Sequence, residues 1–102
     1  SDTNFAQASN RFRISIQEPV NYDDDAPKVV DDILNKKVVV LNLEMIEIDK
    51  KRQIFDFVSG AVYALNGKIE KVTKGIFVIC PKGIEIDNSV TDQISMGNFN
   101  QL

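Results

Sequence analysis

Arg52-Gln53-Ile54-Phe55-Asp56-Phe57-Val58-Ser59-Gly60-Ala61-Val62-Tyr63-Ala64-Leu65-Asn66-Gly67 is the segment from which the rest of the chain can be ordered. Ile54, Val58, Ala61, Val62 and Leu65 recur at three- and four-residue intervals, so they make one apolar stripe on an amphipathic helix. The helix should begin near Asp49 and end at Asn66-Gly67, with Gly67 supplying a left-handed cap. At about 100° per residue, Phe57, Gly60 and Ala64 gather on a second strip beside the stripe, flanked by Ala61. A glycine in mid-helix costs about 0.5–1 kcal/mol against alanine, so Gly60 calls for a compensating contact. Gly60 and Ala64, four residues apart, leave a flat surface that another backbone can approach closely. Two readings stand at this point: the strip packs on the chain's own sheet, or it meets a second subunit.

C-terminal to this helix, Lys68 to Val72 and Gly75 to Cys80 read as two strands. A three-residue loop, Thr73-Lys74-Gly75 with Gly75 left-handed, would set Val72 opposite Ile76 and Lys71 opposite Phe77. Phe77 and Ile79 then share one face of the hairpin, and Ile76 and Val78 the other. One face must lie under the helices, and the second needs a cover from the chain or from a partner. Apolar surface with Lys71 beside Phe77 fits a groove for a short peptide, or simply a two-sided strand with a solvated lysine. Pro81-Lys82-Gly83 is a turn, and Gly83 to Asp87 a last short strand carrying Ile84 and Ile86.

On the N-terminal side, Val38-Val39-Val40-Leu41 ignores polarity on both faces and reads as a central strand. Before it, Asp23-Asp24-Asp25 and Ala26-Pro27 lead into Val29, Val30, Ile33 and Leu34 at helical spacing, with Pro27 placed in the first turn. The acidic run suits the positive end of the helix dipole and lacks the alternating oxygen ligands of a calcium loop. From Arg11 to Glu18, Phe12, Ile14 and Ile16 alternate with Arg13, Ser15 and Gln17 in a half-buried strand that stops at Pro19. Strand, helix and strand make a crossover unit. The expected whole is β-α-β-α-β-β-β, an α+β two-layer sandwich with two helices on a sheet of about five strands. Residues 11–92 should form this domain, residues 1–10 a residual linker and residues 93–102 a flexible tail.

With 102 residues, 43% of them hydrophobic and 26% charged, the chain falls in the range of a single globular domain. A net charge of −3 disfavours sequence-independent nucleic-acid binding. Histidine is absent, which removes the usual general base and metal ligand. Cys80, the one cysteine, reads as a small core hydrophobe. No constellation of catalytic or metal-binding residues is visible, so neither an enzyme nor a cofactor is expected. No apolar run reaches the roughly 18 residues of a membrane span. The chain opens on Ser1 rather than methionine, as expected of a piece of a longer protein. Arg52 and Asp56 suggest a surface ion pair, and Lys50, Lys51 and Arg52 oppose the dipole at the helix start. Those three cations serve either a contact or a plain solvated face.

The segment from Arg52 to Gly67 resembles the signature of the SepF cell-division proteins: an arginine, three residues, Asp-Phe, two residues, a glycine, then an aromatic-alanine pair and a glycine turn. The strand Val38 to Leu43, with its Asn-Leu end, is similar to one of that family. So is Gly75-Ile76-Phe77-Val78-Ile79-Cys80-Pro81, with its central Phe and closing Pro. The resemblance runs from about Phe12 to Ile86. It implies an adaptor that links the tubulin-like division protein FtsZ to the cytoplasmic membrane at the septum. It implies an N-terminal membrane-binding helix, which is missing here, then a flexible linker, then a globular domain that dimerises, can self-assemble further and captures the C-terminal peptide of FtsZ. Carried onto this sequence, Gly60, with Phe57 and Ala64, falls in the subunit contact, and Lys71 and Phe77 fall in the peptide site. No nucleic acid is implied. Some members place an apolar helix after the last strand, and the polar segment after Asp87 departs from that pattern. Strand and helix order alone also permits a small-molecule-binding regulatory domain of ferredoxin-like type, which should show an enclosed polar pocket.

Overall fold

The first helix starts earlier than its proline suggests, because a reciprocal cap fixes it. Asn21 Oδ1 accepts the Asp24 N–H at 3.1 Å, while Asp25 Oδ2 accepts the N–H groups of Val20 and Asn21 at 2.9 Å each. Strong capping sets the start at Tyr22, so Pro27 sits in the second turn rather than the first. The computed structural model describes residues 12–97, so the expected linker 1–10 lies outside the described residues, as do the last five residues of the expected tail. The elements are β1 (Arg13–Gln17), α1 (Tyr22–Leu34), β2 (Lys37–Asn42), α2 (Ile48–Ala64), β3 (Lys68–Thr73), β4 (Ile76–Cys80) and α3 (Asn88–Ser95).

The four strands are ordered β1-β2-β4-β3. β1 runs parallel to β2, as the crossover requires, and β4 is antiparallel to both of its neighbours. On one face, α1 and α2 bury Ala26, Val29, Ile33, Ile54, Val58 and Val62 against Val39, Leu41, Leu43 and Ile79. On the other, Val38, Val40, Ile76 and Val78 are covered by Phe12, Val90 and Ile94. β2 is therefore apolar on both sides, as its unbroken run demanded.

The expectation of two helices on about five strands is corrected to three helices and a four-stranded sheet. Gly83 to Asp87 forms no strand. A turn closes on Pro81, with the Ile84 N–H reaching its carbonyl at 3.1 Å, and Ile84 and Ile86 lie half-buried against the second core. Asp87 then caps a helix, its Oδ1 accepting the N–H groups of Ser89 and Val90 at 3.0 and 3.2 Å. These hydrogen bonds hold the Asp87 carboxyl below its ordinary pKa: the largest contribution comes from the Ser89 side chain, then the Val90 N–H. The tail expected from residue 93 is helical to Ser95, and Ile94 is buried. Two apolar residues four apart, Val90 and Ile94, suffice for so short a helix.

The end of α2 is also corrected. The left-handed residue is Asn66, with φ 59°, and not Gly67. The N–H groups of Asn66 and Gly67 reach the Tyr63 and Val62 carbonyls at 3.1 and 2.9 Å. Gly67 is needed for a different reason. A Cβ there would stand 2.8 Å from the Cys80 carbonyl oxygen, where β4 passes under the helix end. Gly67→Ala is expected to destabilise the domain by about 1–3 kcal/mol through this clash, measurable as a lower urea midpoint.

One buried charge staples α1 to the sheet. Asp32 is 9% exposed. Its Oδ2 accepts from the Ser15 hydroxyl and, at 2.7 Å, from Gln17 Nε2, while Lys37 Nζ lies 3.4 Å from Oδ1. The polar face of β1 is thus turned inward and satisfied there. Burial pushes the Asp32 carboxyl up, but Ser15, Gln17 and Lys37 together outweigh it and leave the pKa below 3.8. Asp32→Asn should cost about 1.5–3 kcal/mol at pH 7. The contribution is full above the unfolded value near 3.8 and disappears as pH falls through the lower folded value. Urea midpoints of the two proteins should therefore differ at neutral pH and converge in strong acid.

Candidate functional site

α2 has two flanks, and each holds one group of the residues singled out in the sequence. Phe57, Gly60 and Ala64 lie on the flank toward α1. Phe57 is exposed, and its ring meets Tyr22 of α1 edge-on at 5.7 Å between centroids. Gly60 and Ala64 are exposed, and a Cβ built at Gly60 meets nothing within 4 Å. The strip therefore does not pack on the chain's own sheet, which disposes of the first of the two readings of this surface. Tyr63, 86% exposed, stands beside it on the outward side of the helix. Arg52 and Asp56 do not form the surface pair expected of them; the ion pairs among the described residues lie elsewhere.

The opposite flank faces the β3–β4 hairpin. Lys71 stands opposite Phe77 in register, as the turn reading required. The loop is tighter than expected. Thr73 pairs with Ile76, Lys74 and Gly75 alone make the turn, and Val72 is left over as a bulge. Gly75 is left-handed, with φ 85°, and a Cβ there would stand 2.8 Å from Glu44 Cγ. Paired residues share a face, so Lys71 projects on the same side as Phe77, toward α2. Phe77 is half-buried, its ring 4.8 Å from that of Phe55 on α2. Ile69, two residues before Lys71 on the edge strand, is half-buried on the same side. Phe55, Phe77 and Ile69 are thus half-buried along the junction of α2 and β3, an apolar trough in outline, with exposed Lys71 beside them.

Phe55 is the trough residue that sequence reasoning missed. It sits one position after Ile54, about 100° round the helix, and so falls just off the main apolar stripe. Its signal was there to read: an aromatic at the stripe's margin, on the flank away from the glycine.

The face carrying Ile76 and Val78 is covered by the chain itself, through α3 and the segment holding Ile84 and Ile86. Between this cover and the edge strand runs an open cleft of about 180 Å³, with Lys68, Glu70, Cys80, Glu85 and Thr91 in its walls. It is shallow and rimmed by charge, and it is not the enclosed polar pocket a metabolite domain should show. Cys80 is half-buried there; burial, then the Glu70 charge, pushes its thiol pKa up, which opposes thiolate chemistry.

Residues 14–86 match the family model described as cell division protein SepF. The chain belongs to the SepF family. It is 60% identical over 94 residues to the cell division protein SepF of Finegoldia magna, covering 91% of this chain and 58% of that protein. With SepF of Ruminiclostridium cellulolyticum the identity is 44% over 85 residues, covering 83% and 54%. The chain thus spans somewhat over half the length of these SepF relatives. A SepF-like protein from Archaeoglobus fulgidus has the same fold, with a TM-score of 0.64 at 19% identity over 74% of this chain and 92% of that one. SepF is a family named for cell division. No helix among the described residues is long and apolar enough to cross a membrane.

Proposed function

We propose that this SepF domain is a homodimeric, self-assembling adaptor that captures the C-terminal peptide of FtsZ and, in the full-length protein, ties the division ring to the inner face of the cell membrane. It carries no catalytic role. The observation that carries this reading is the trough itself: an aromatic pair, Phe55 and Phe77, left half-buried beside an exposed lysine on an edge strand. An apolar side chain of the peptide seats on Phe77, and a carboxylate pairs with Lys71. The second surface, Phe57, Gly60 and Ala64, lies on the other flank of the same helix, so a dimer formed there leaves the trough open. Two troughs per dimer, repeated along an assembly, raise avidity without any new contact.

The test is a calorimetric titration of the FtsZ tail peptide into this chain, with sedimentation of the free domain alongside. Saturable binding at one site per protomer and a dimer mass are expected. A monomer indifferent to the peptide would overturn the proposal.

A further inference from the structure

Resting on that reading, we infer that the trough is a two-walled cationic clamp in which Lys51 of α2 and Lys71 of β3 hold carboxylates on either side of one apolar residue. Its occupant is a short peptide with an apolar side chain between acidic ones. Lys51 and Phe55 are four residues apart on α2, so they are neighbours on the flank facing the hairpin. Lys71 faces Phe77 across the hairpin register, and Phe77 touches Phe55. The order along the trough is therefore cation, two aromatics in tilted contact, cation. Lys51 is half-buried and Lys71 exposed, and neither forms an ion pair among the described residues.

Of the acidic residues nearby, Glu44 and Glu47 are exposed and form no ion pair with either lysine, and the others point elsewhere. Asp49 and Asp56 project about 100–120° round the helix from Phe55, on the outward side. Glu70 alternates to the other face of β3, where it lines the α3 cleft. Both walls are thus positive on a chain whose net charge is −3, so the local sign is set by placement and not by composition. The same arrangement answers why lysine stands so near the positive end of the α2 dipole, where it weakens the helix. At the mouth of the trough Ile48, 72% exposed and seven residues before Phe55, extends the apolar floor along the same flank.

The experiment compares the parent chain with Lys51→Glu and Lys51→Gln, titrating the FtsZ tail peptide at low and high salt. Lys51→Glu should bind about tenfold more weakly, with a smaller salt dependence. Lys51→Gln should fall between, and both should hold or slightly raise the parent's thermal midpoint. A peptide with one flanking acid changed to lysine should regain affinity for Lys51→Glu. If the parent binds and Lys51→Glu binds equally well, the clamp is wrong and the FtsZ reading stands. If the parent ignores the FtsZ tail, that reading falls, and an array of peptides with one apolar residue between two acids decides the clamp. Binding that is lost in Lys51→Glu would support it, and an array with no binder would overturn it.

Discussion

Gly60→Lys is expected to abolish self-association while leaving the isolated domain at least as stable as the parent. The two effects have opposite signs because Gly60 serves no purpose inside its own protomer. No atom lies within 4 Å of a Cβ built there, so a side chain meets open space. Replacing glycine in a helix interior should raise folding stability by about 0.5–1 kcal/mol. In a close helix contact the same lysine puts an ammonium and four methylenes where only backbone fits. Sedimentation should then give a monomer at concentrations where the parent is a dimer, and the urea midpoint of the monomer should rise or hold. Gly60→Ala, which adds one methyl group, should lose far less association. A Gly60→Lys protein that dimerises like its parent would move the interface off this flank.

Phe77→Ala should remove most of the affinity for the FtsZ tail, roughly thirtyfold or about 2 kcal/mol, as expected for an aromatic anchor at the centre of a site. The substitution also strips a partner from Phe55, at 4.8 Å, so a stability loss of about 2–3 kcal/mol accompanies it. A domain of this size retains its fold after such a loss only if it began with the usual margin. Phe77→Leu separates the two effects, since it restores much of the buried volume while removing the ring face. Circular dichroism should show both variants folded. Phe77→Leu should bind with intermediate strength. Unchanged binding in either variant, measured by calorimetry, would take Phe77 out of the site.

Much of this architecture is legible in local pattern. The α2 stripe, the unbroken run of β2 and the alternation of β1 each follow from side-chain periodicity, and each element sits where its period requires. The errors came where one long-range contact outweighs local preference. Gly83 to Asp87 has the composition of a strand, yet it packs Ile84 and Ile86 against the second core instead of extending the sheet at the β3 edge. The polar segment after Asp87 departs in sequence from the family's apolar helix, yet Asp87 caps it as a helix and the uncovered face of β4 gives Val90 and Ile94 a place to bury. In sequence Gly67 reads as the left-handed cap, whereas its role is set by the Cys80 carbonyl thirteen positions away. Asn66, an ordinary left-handed residue, had already supplied the cap. Likewise Ser15, Gln17 and Asp32 are unremarkable in sequence, and only the parallel β1–β2 pairing brings them under α1 as one network.

The trough illustrates the same division. Lys71 and Phe77 could be set opposite one another from the turn alone. Phe55 and Lys51 could not be joined to them without knowing that α2 lies along the edge strand. Which flank of a helix faces which strand is a tertiary fact, and the two surfaces of α2 become distinct only when it is known.

The most direct measurement is a backbone amide shift map of the isotopically labelled chain as the FtsZ tail peptide is added. The largest changes are expected along α2 from Ile48 to Ser59, at Ile69 to Lys71 and around Phe77, with α3 and the Cys80 cleft unmoved. Shifts confined to α3 and the outer cleft, or no shifts at saturating peptide, would contradict the assignment of this trough as the docking site.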